Sequence, residues 1–420
     1  MKRALFEWRF RTTHWRSPQA IRRYQSSRLR QLLVHSASQV RFYKNLFKEV
    51  GVDVESIRSV DDLSRLPVTS KSMYISRPVD DYLDASQPTY GTWRHTSGTS
   101  GKPLSILVSG LLGIPRYHGF LVHRFYFWDH PWVHTLKGVR IARIKIAARG
   151  YPNRLALSVR QFLEDTEESV RTIAAFKPDI LESYPSILLE LARAIEQQPA
   201  LPRITVRYLS SVGEMLTPAA RAYLEKQFMC EVYDRYGAEE VGPVATECAQ
   251  HNGMHINVES TIIEIVDPEG NPLPPGERGR VIATDLLNYK MPFIRYDVGD
   301  QGILDTRACA CGLRTPRLFV EGRYSATLTA GQRVIHHLEF DGALDSFMNQ
   351  IVQYQVAKCA ATAFEVRVVP GAAFSEETER KILHNIQVLV GEGASVSIKT
   401  MATLPITERG KSKIVVDESV

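Results

Sequence analysis

The stretch His95-Thr96-Ser97-Gly98-Thr99-Ser100-Gly101-Lys102-Pro103 packs hydroxyl side chains, two glycines and a lysine together. Backbone N–H groups opened by glycine, side-chain hydroxyls and a cation all donate to anionic oxygens, so this stretch suits a polyphosphate. It is not a Walker A loop, which needs Gly where Thr96 stands and Ser or Thr where Pro103 stands. The plain alternative is a polar surface turn. A second set able to do chemistry is Cys248 and His255, followed by Cys309-Ala310-Cys311-Gly312. Three thiolates and an imidazole form a closed donor set suited to tetrahedral structural zinc. The Cys-x-Cys spacing is tighter than the usual knuckle, and buried unligated cysteines are the alternative. His251 competes with His255 as ligand and ranks below it. Cys230 and Cys359 read as core residues.

The loop at 96–102 resembles the phosphate loop of the adenylate-forming superfamily, which includes acyl-CoA synthetases, luciferases and peptide-synthetase adenylation domains. Further matches follow in the family's order. Ser211-Val212-Gly213-Glu214 resembles its adenine-binding turn and Tyr236-Gly237-Ala238-Glu239-Glu240 its Tyr-Gly-x-x-Glu motif. Tyr296-Asp297-Val298-Gly299-Asp300, preceded by Arg295, resembles its Tyr-x-x-Gly-Asp motif. Gly322-Arg323 resembles the pair before the domain hinge, and Gly410-Lys411 the C-terminal Gly-Lys. The resemblance covers nearly the whole chain. Within the superfamily, Phe42-Tyr43-Lys44-Asn45-Leu46-Phe47, Leu66-Pro67-Val68-Thr69-Ser70-Lys71 and the short length resemble the phenylacetate–CoA ligase branch. Ser183-Tyr184-Pro185-Ser186 is more similar to capsule-biosynthesis-associated relatives.

The resemblance implies a carboxylate activated with ATP to an acyl-adenylate, releasing pyrophosphate. In-line attack on the α-phosphorus needs positioning and stabilisation of the charge on the phosphoryl group. It implies nucleotide contacts from Thr96, Ser97, Gly98, Thr99, Ser100, Gly101, Lys102, Ser211, Gly213, Glu214, Tyr236 and Gly237. Asp300 would accept hydrogen bonds from the ribose hydroxyls, with Arg323 alongside. A hard cation wants a carboxylate, so Mg²⁺ falls to Glu240, with Glu239 its rival. Lys411 supplies the mobile catalytic charge, with Lys413 its rival. Tyr184, Pro185, Val212 and Tyr236 line the acyl pocket, a set that suits a flat carboxylate and equally suits core packing. Some members of the branch carry similar Cys and His segments with zinc, which favours a structural Zn²⁺ on Cys248, His255, Cys309 and Cys311. Taken singly, Asp300 is an ordinary turn carboxylate and Lys411 a solvated surface lysine. Their occurrence in order is what assigns them.

One departure stands out. The acidic residues that usually follow Gly-Arg-x are here Ser325-Ala326. A serine hinge can still absorb a φ/ψ change, but it weakens the case for the second, thioester-forming step on coenzyme A. The readings are therefore, in order, a CoA ligase, an adenylate former serving a carrier-protein arm or an amine, and a non-catalytic nucleotide-binding homologue. Relatives of this kind are often homodimers.

The elements that must position these residues are legible. Residues 19–50 have helical periodicity ending at Gly51, and 59–67 read as a short helix and a turn. From 95 to about 320, short apolar strands alternate with helices, as in the strand 180–184, helix 185–197, strand 208–211, helix 217–228 and strand 231–234. Such βαβ alternation predicts a mainly parallel sheet with ligands at the strands' C-terminal ends. Strand-like 364–369, helical 375–388 and strand-like 395–399 outline a small α+β lobe. The expected organisation is α/β, with a large N-terminal adenylation domain over 1–322 and a small mobile α+β lid domain over 323–420.

Composition agrees with a globular protein: hydrophobic residues make up 44% and charged residues 23%. The net charge of +6 is scattered, which does not indicate nucleic acid. No apolar run approaches the ~20 residues of a membrane span. The N-terminal Met1–Phe10 stretch is basic and aromatic without the apolar core of a secretory signal. With an odd number of cysteines (five), this argues against a disulfide framework and for the cytoplasm.

Overall fold

The computed structural model describes residues 12–86, 91–96, 103–109, 121–129, 138–145, 153–323, 326–406 and 412–419. The chain divides into two compact units: Met1–Leu136 with Arg235–Glu321, and Lys137–Asp234 with Gly322–Val420. No helix among the described residues is long and apolar enough to cross a membrane.

In the first unit, Ser17 caps the helix Pro18–Gln39 by accepting from the Ala20 N–H, and Pro18 fills a first-turn position that lacks an intrahelical partner. Ile21, Gln25, Leu29, Leu32, Leu33 and Ser36 recur on one buried face. The expected continuous helix over 19–50 is two helices, because Val40 is extended (φ −114°, ψ 112°) and starts Arg41–Glu49. Gly51 ends the second helix at φ +67°, and the Val52 N–H reaches back to the Phe47 carbonyl, a Schellman closure. Phe42, Tyr43, Leu46 and Phe47 carry this helix into the core.

The strands of this unit after residue 235 pair antiparallel. Thr261–Val266 pairs with Arg278–Asp285, which pairs with Tyr296–Asp305. Arg317–Arg323 pairs with Met254–Ile256, which pairs with Gly242–Glu247, and that strand pairs with residues 235–238 of Glu231–Ala238. A separate hairpin, Thr92–His95 with Ser105–Val108, brings the two ends of the hydroxyl-rich loop together.

The expected parallel sheet lies in the second unit. Ile141–Lys145 pairs in parallel with Arg154–Ser158 and Ile180–Ser183, and the latter with Tyr208–Val212. The connecting helices Thr166–Phe176, Pro185–Gln197 and Pro218–Phe228 match the alternation in the sequence. The same unit contains an α+β lobe. Its four-stranded sheet runs Ser395–Thr400, Ala363–Pro370, Ile351–Ala360, Val415–Asp417, and the helix Glu376–Val390 packs Ile382, Ile386 and Val390 into its core.

The second unit resumes at residue 322. The grouping joins 137–234 to the C-terminal segment rather than to the rest of 1–322. The physical reason is shared burial. Val352, Val369 and Leu404 pack with Leu209, Ala220 and Leu224, and the Thr217 hydroxyl donates to the Ile351 and Val352 carbonyls.

Candidate active site and metal centre

In the first unit, Thr96 is the described end of the hydroxyl-rich loop. It is buried, its N–H donates to the Leu104 carbonyl and its hydroxyl accepts from the Leu104 N–H, at 3.0 and 2.9 Å. The hairpin thus fixes both ends of the loop. Ser97, Gly98, Thr99, Ser100, Gly101 and Lys102 lie outside the described residues.

The two acidic motif residues of this unit are each held by a tyrosine. The Tyr236 hydroxyl donates to Asp300 Oδ2 at 2.5 Å, and the Tyr296 hydroxyl to Glu240 Oε1 at 2.8 Å. Asp300 is buried and Glu240 half-buried. Gly237 is sterically required, since a Cβ there would stand 2.7 Å from the Gly242 carbonyl oxygen in the tight hairpin. Glu239 is exposed and faces Arg94 at 3.5 Å. A small pocket is lined by Arg94, Glu239, Glu240, Gly242, Pro243 and Asn288. Arg295 is fully buried with φ +45°, gripped by Glu264 and by the Leu66 and Gly270 carbonyls. It anchors the start of the Tyr-x-x-Gly-Asp strand, a role that motif matching did not assign.

In the second unit, Tyr184 and Pro185 are buried at the start of the helix Pro185–Gln197, and Val212 is half-buried at the end of its strand. Ser211 is buried, and its hydroxyl has no partner among the described residues. Gly213 turns the chain at φ +83° and is followed by Glu214. The Glu214 carboxylate accepts from the Ser186 N–H and hydroxyl, both at 3.0 Å, and from the Ser412 N–H at 2.9 Å. Arg323 is exposed at the end of its strand. Gly322 before it has φ +107°, and a Cβ there would meet His337 Nε2 at 2.5 Å. Lys411 and Ser325 lie outside the described residues, whereas the backbone carbonyl of Lys413 accepts from Gln355.

The cysteine–histidine set converges. The donor atoms of Cys248, His255, Cys309 and Cys311 all lie within 4.8 Å of one another. Cys248 follows the strand Gly242–Glu247, and His255 sits on the next strand, opposite Arg317. Cys309 and Cys311 come from the loop before Arg317–Arg323, where Gly312 (φ +83°) donates to the Cys309 carbonyl. The Cys248 and Cys309 sulfurs are 3.8 Å apart, and Cys311 Sγ is 3.3 Å from His255 Nε2. A tetrahedron with metal–sulfur bonds of about 2.3 Å has an edge of about 3.8 Å, so the donors match a closed four-coordinate site. His251 turns instead to Glu247 at 3.1 Å, which leaves His255 as the imidazole of the set.

The four groups differ in their electrostatics. Burial pushes the Cys248 thiol far above its ordinary range. Burial would also raise Cys309, yet hydrogen bonds from the Cys311 N–H and from the neighbouring thiols bring it below the ordinary value. Burial, then the nearby His14, lowers the His255 imidazole to about 4, so it is neutral at neutral pH. His255 Nδ1 faces the Thr315 carbonyl and hydroxyl at 3.2 and 2.9 Å. A proton on Nδ1 leaves the Nε2 lone pair toward the sulfurs.

Behind it the chain of contacts continues. The Thr315 hydroxyl meets His14 Nδ1 at 3.3 Å, and His14 Nε2 meets Glu259 at 3.4 Å. Glu259 pairs bidentately with the buried Arg124 at 2.9 and 3.2 Å. These outer partners are scattered through the sequence without a spacing signal, so only the fold reveals them.

Comparison with known proteins agrees with this geometry. Residues 152–285 match the AMP-binding enzyme family. The chain is 24% identical over 439 residues to the phenylacetate-coenzyme A ligase of Thermus thermophilus, covering 94% of this chain and 96% of that protein. It is 26% identical to the enzyme of the same name from Aromatoleum evansii, covering 96% and 95% of the two chains. It is also 20% identical over 260 residues to Protein CapK of Staphylococcus aureus, covering 60% and 56%. Among solved structures, a 2-hydroxyisobutyryl-CoA ligase in its postadenylation state superposes with a TM-score of 0.74 at 20% identity. That superposition covers 97% of this chain and 91% of that one. Motifs in order from residue 96 onward, the AMP-binding match over 152–285 and alignments over nearly the full length make the chain similar to the adenylate-forming superfamily and, within it, to the phenylacetate–CoA ligases.

Proposed function

We propose that the protein is an ATP-dependent carboxylate ligase that forms an acyl-adenylate, releases pyrophosphate and transfers the acyl group to coenzyme A. The observation that carries this reading is the pair of motif carboxylates fixed by tyrosines, Glu240 by Tyr296 and Asp300 by Tyr236, in the unit whose hairpin holds the loop at 96–102. Carboxylates held in place before substrate arrives lose little entropy on binding, which is how positioning lowers a barrier. Asp300 receives the ribose hydroxyls. The loop hydroxyls, its N–H groups and Lys102 grip the β- and γ-phosphates. Glu240 holds the Mg²⁺ that accompanies ATP, which supplies charge neutralisation at the phosphates. Lys411 neutralises charge that develops on the α-phosphoryl group, an interaction stronger in the transition state than in the ground state. Tyr184, Pro185 and Val212 line the acyl pocket.

Cys248, His255, Cys309 and Cys311 hold a structural Zn²⁺, which ties the loop at 309–312 to the strands carrying Cys248 and His255. Such a thiolate set keeps its metal in a reducing compartment, in line with the cytoplasm. The missing acidic hinge residue favours a second reading of the acceptor, a carrier-protein arm or an amine. The test is carboxylate-dependent pyrophosphate–ATP exchange across aromatic, aliphatic and amino acids without acceptor, followed by addition of CoA. Exchange with one acid and AMP release on adding CoA is the expected result. Exchange that stalls at adenylate with CoA moves the acceptor to a carrier or amine, and no exchange despite ATP binding removes the ligase reading.

A further inference from the structure

The turn after Tyr208–Val212 resembles an adenine-binding turn, yet the Glu214 carboxylate at its end is engaged by the protein itself. The helix Pro185–Gln197 begins after Tyr184, whose side chain makes no capping hydrogen bond. Its second residue, Ser186, presents a backbone N–H and a hydroxyl to the Glu214 carboxylate, both at 3.0 Å. A carboxylate at a helix N-terminus satisfies an orphan donor and is favoured by the helix dipole, so Glu214 is firmly seated there. From that seat, Oε1 accepts the Ser412 N–H at 2.9 Å. Ser412 directly follows Lys411 in the sequence.

We infer that Glu214 is a positioning residue: it fixes Ser412 against the start of the helix Pro185–Gln197, and so restrains the C-terminal segment on which the chemistry assigned to Lys411 depends. The inference rests on the adenylation reading above and on Lys411 carrying the catalytic charge. It changes the role expected for Glu214 from nucleotide contact to anchor of the C-terminal segment. A charge-assisted hydrogen bond to a carboxylate is about twice as strong as a neutral one, so this contact is well suited to hold a chain segment. Glu214 acts on the step that needs Lys411 and leaves the acyl transfer from adenylate to acceptor untouched.

The test uses the full-length protein and two variants that break the same contact from opposite sides, Glu214→Ala and Ser412→Pro, together with the double variant. Folding is checked by thermal melting. Loss of about one ångström of positioning costs on the order of a hundredfold, so the turnover number for pyrophosphate–ATP exchange should fall about tenfold to a hundredfold in each single variant. The KM for ATP should stay within about threefold, and consumption of supplied acyl-adenylate by CoA should be unchanged. The double variant should be no worse than about threefold below either single one, because one contact cannot be broken twice.

A raised KM for ATP with turnover intact would make Glu214 a nucleotide contact and overturn the inference. Equal losses in both half-reactions, or multiplicative losses in the double variant, would overturn it as well. Absence of exchange in the unmutated protein would instead sink the adenylation reading, and this inference with it.

Discussion

Glu259 and Asp285 are both fully buried carboxylates, and they differ in what touches them. Glu259 is fully buried; burial opposes its charge, but Arg124 and then His14 hold it below the usual carboxylate range. Asp285 is equally buried at the end of Arg278–Asp285, and burial raises it from its ordinary value to about 7, opposed only by backbone N–H groups such as that of Leu287 at 2.8 Å. The consequence has a definite sign. Unfolded, this group titrates near pH ~3.9, so between there and about 7 the unfolded chain has lost a proton that the folded chain keeps. Stability contributed by the site is therefore fully present below pH ~4 and is lost as pH rises toward 7, by at most about 1.4 kcal/mol per pH unit. Asp285→Asn cannot titrate. Urea unfolding at about pH 5 and about pH 7 should show the stability of the unmutated protein, relative to the variant, falling by about 1–2 kcal/mol over that interval. Parallel pH profiles for the two proteins would mean that Asp285 is ionised in the folded state.

At the scale of elements, the cysteine set gathers ligands from the end of Gly242–Glu247, from Met254–Ile256 and from the loop before Arg317–Arg323. Cys309 and Cys311 sit in a loop between Tyr296–Asp305 and Arg317–Arg323, and the latter pairs with Met254–Ile256 over a short register. A cation shared by that loop, Cys248 and His255 would close it. Ligands gathered by folding make metal affinity part of folding free energy. Cys309→Ser with Cys311→Ser should thus lose the zinc and lower the melting temperature together, read by metal analysis on the purified chain and by thermal unfolding. A protein without zinc before mutation would end the assignment.

The sequence made this set legible because thiols and imidazoles are rare and their spacing is distinctive. The same was true of the parallel strands and their helices, where apolar runs alternate with caps such as Thr217 before Pro218–Phe228. It was not true of the helix break at Val40 or of the His14–Thr315 support. The first is a local backbone choice within an unbroken periodic pattern, and the second joins residues 301 positions apart. The candidate-site motifs were readable as types in order. Their hydrogen-bond partners Tyr296, Ser186 and Ser412 were not readable as partners, since only tertiary structure sets them 2.8–3.0 Å away.

At the scale of the whole molecule, the sequence pointed to a boundary at 322/323 on the strength of the Gly-Arg pair and a change in texture beyond it. The parallel strands and helices of 137–234 share buried surface with the C-terminal lobe through Leu209, Ala220, Val352, Val369 and Leu404, and the Thr217 hydroxyl bonds across to the Ile351 and Val352 carbonyls. Motif order carries no information on such contacts, because they depend on which faces remain apolar after each element has formed. If the observed packing is what stabilises this unit, a chain ending at residue 322 should leave the Leu209 and Ala220 faces open to water. Burying a side chain of this kind contributes on the order of 1–3 kcal/mol, so losing several partners at once is severe for a unit of ordinary stability. Amide hydrogen exchange on that truncated chain should show 208–212 and 218–228 exchanging much faster than in the full protein, while 18–39 and 278–285 in the first unit keep their protection. Equal protection of 208–212 and 218–228 in both chains would mean that 1–322 folds as a freestanding domain, and that the C-terminal lobe packs on it without supporting it.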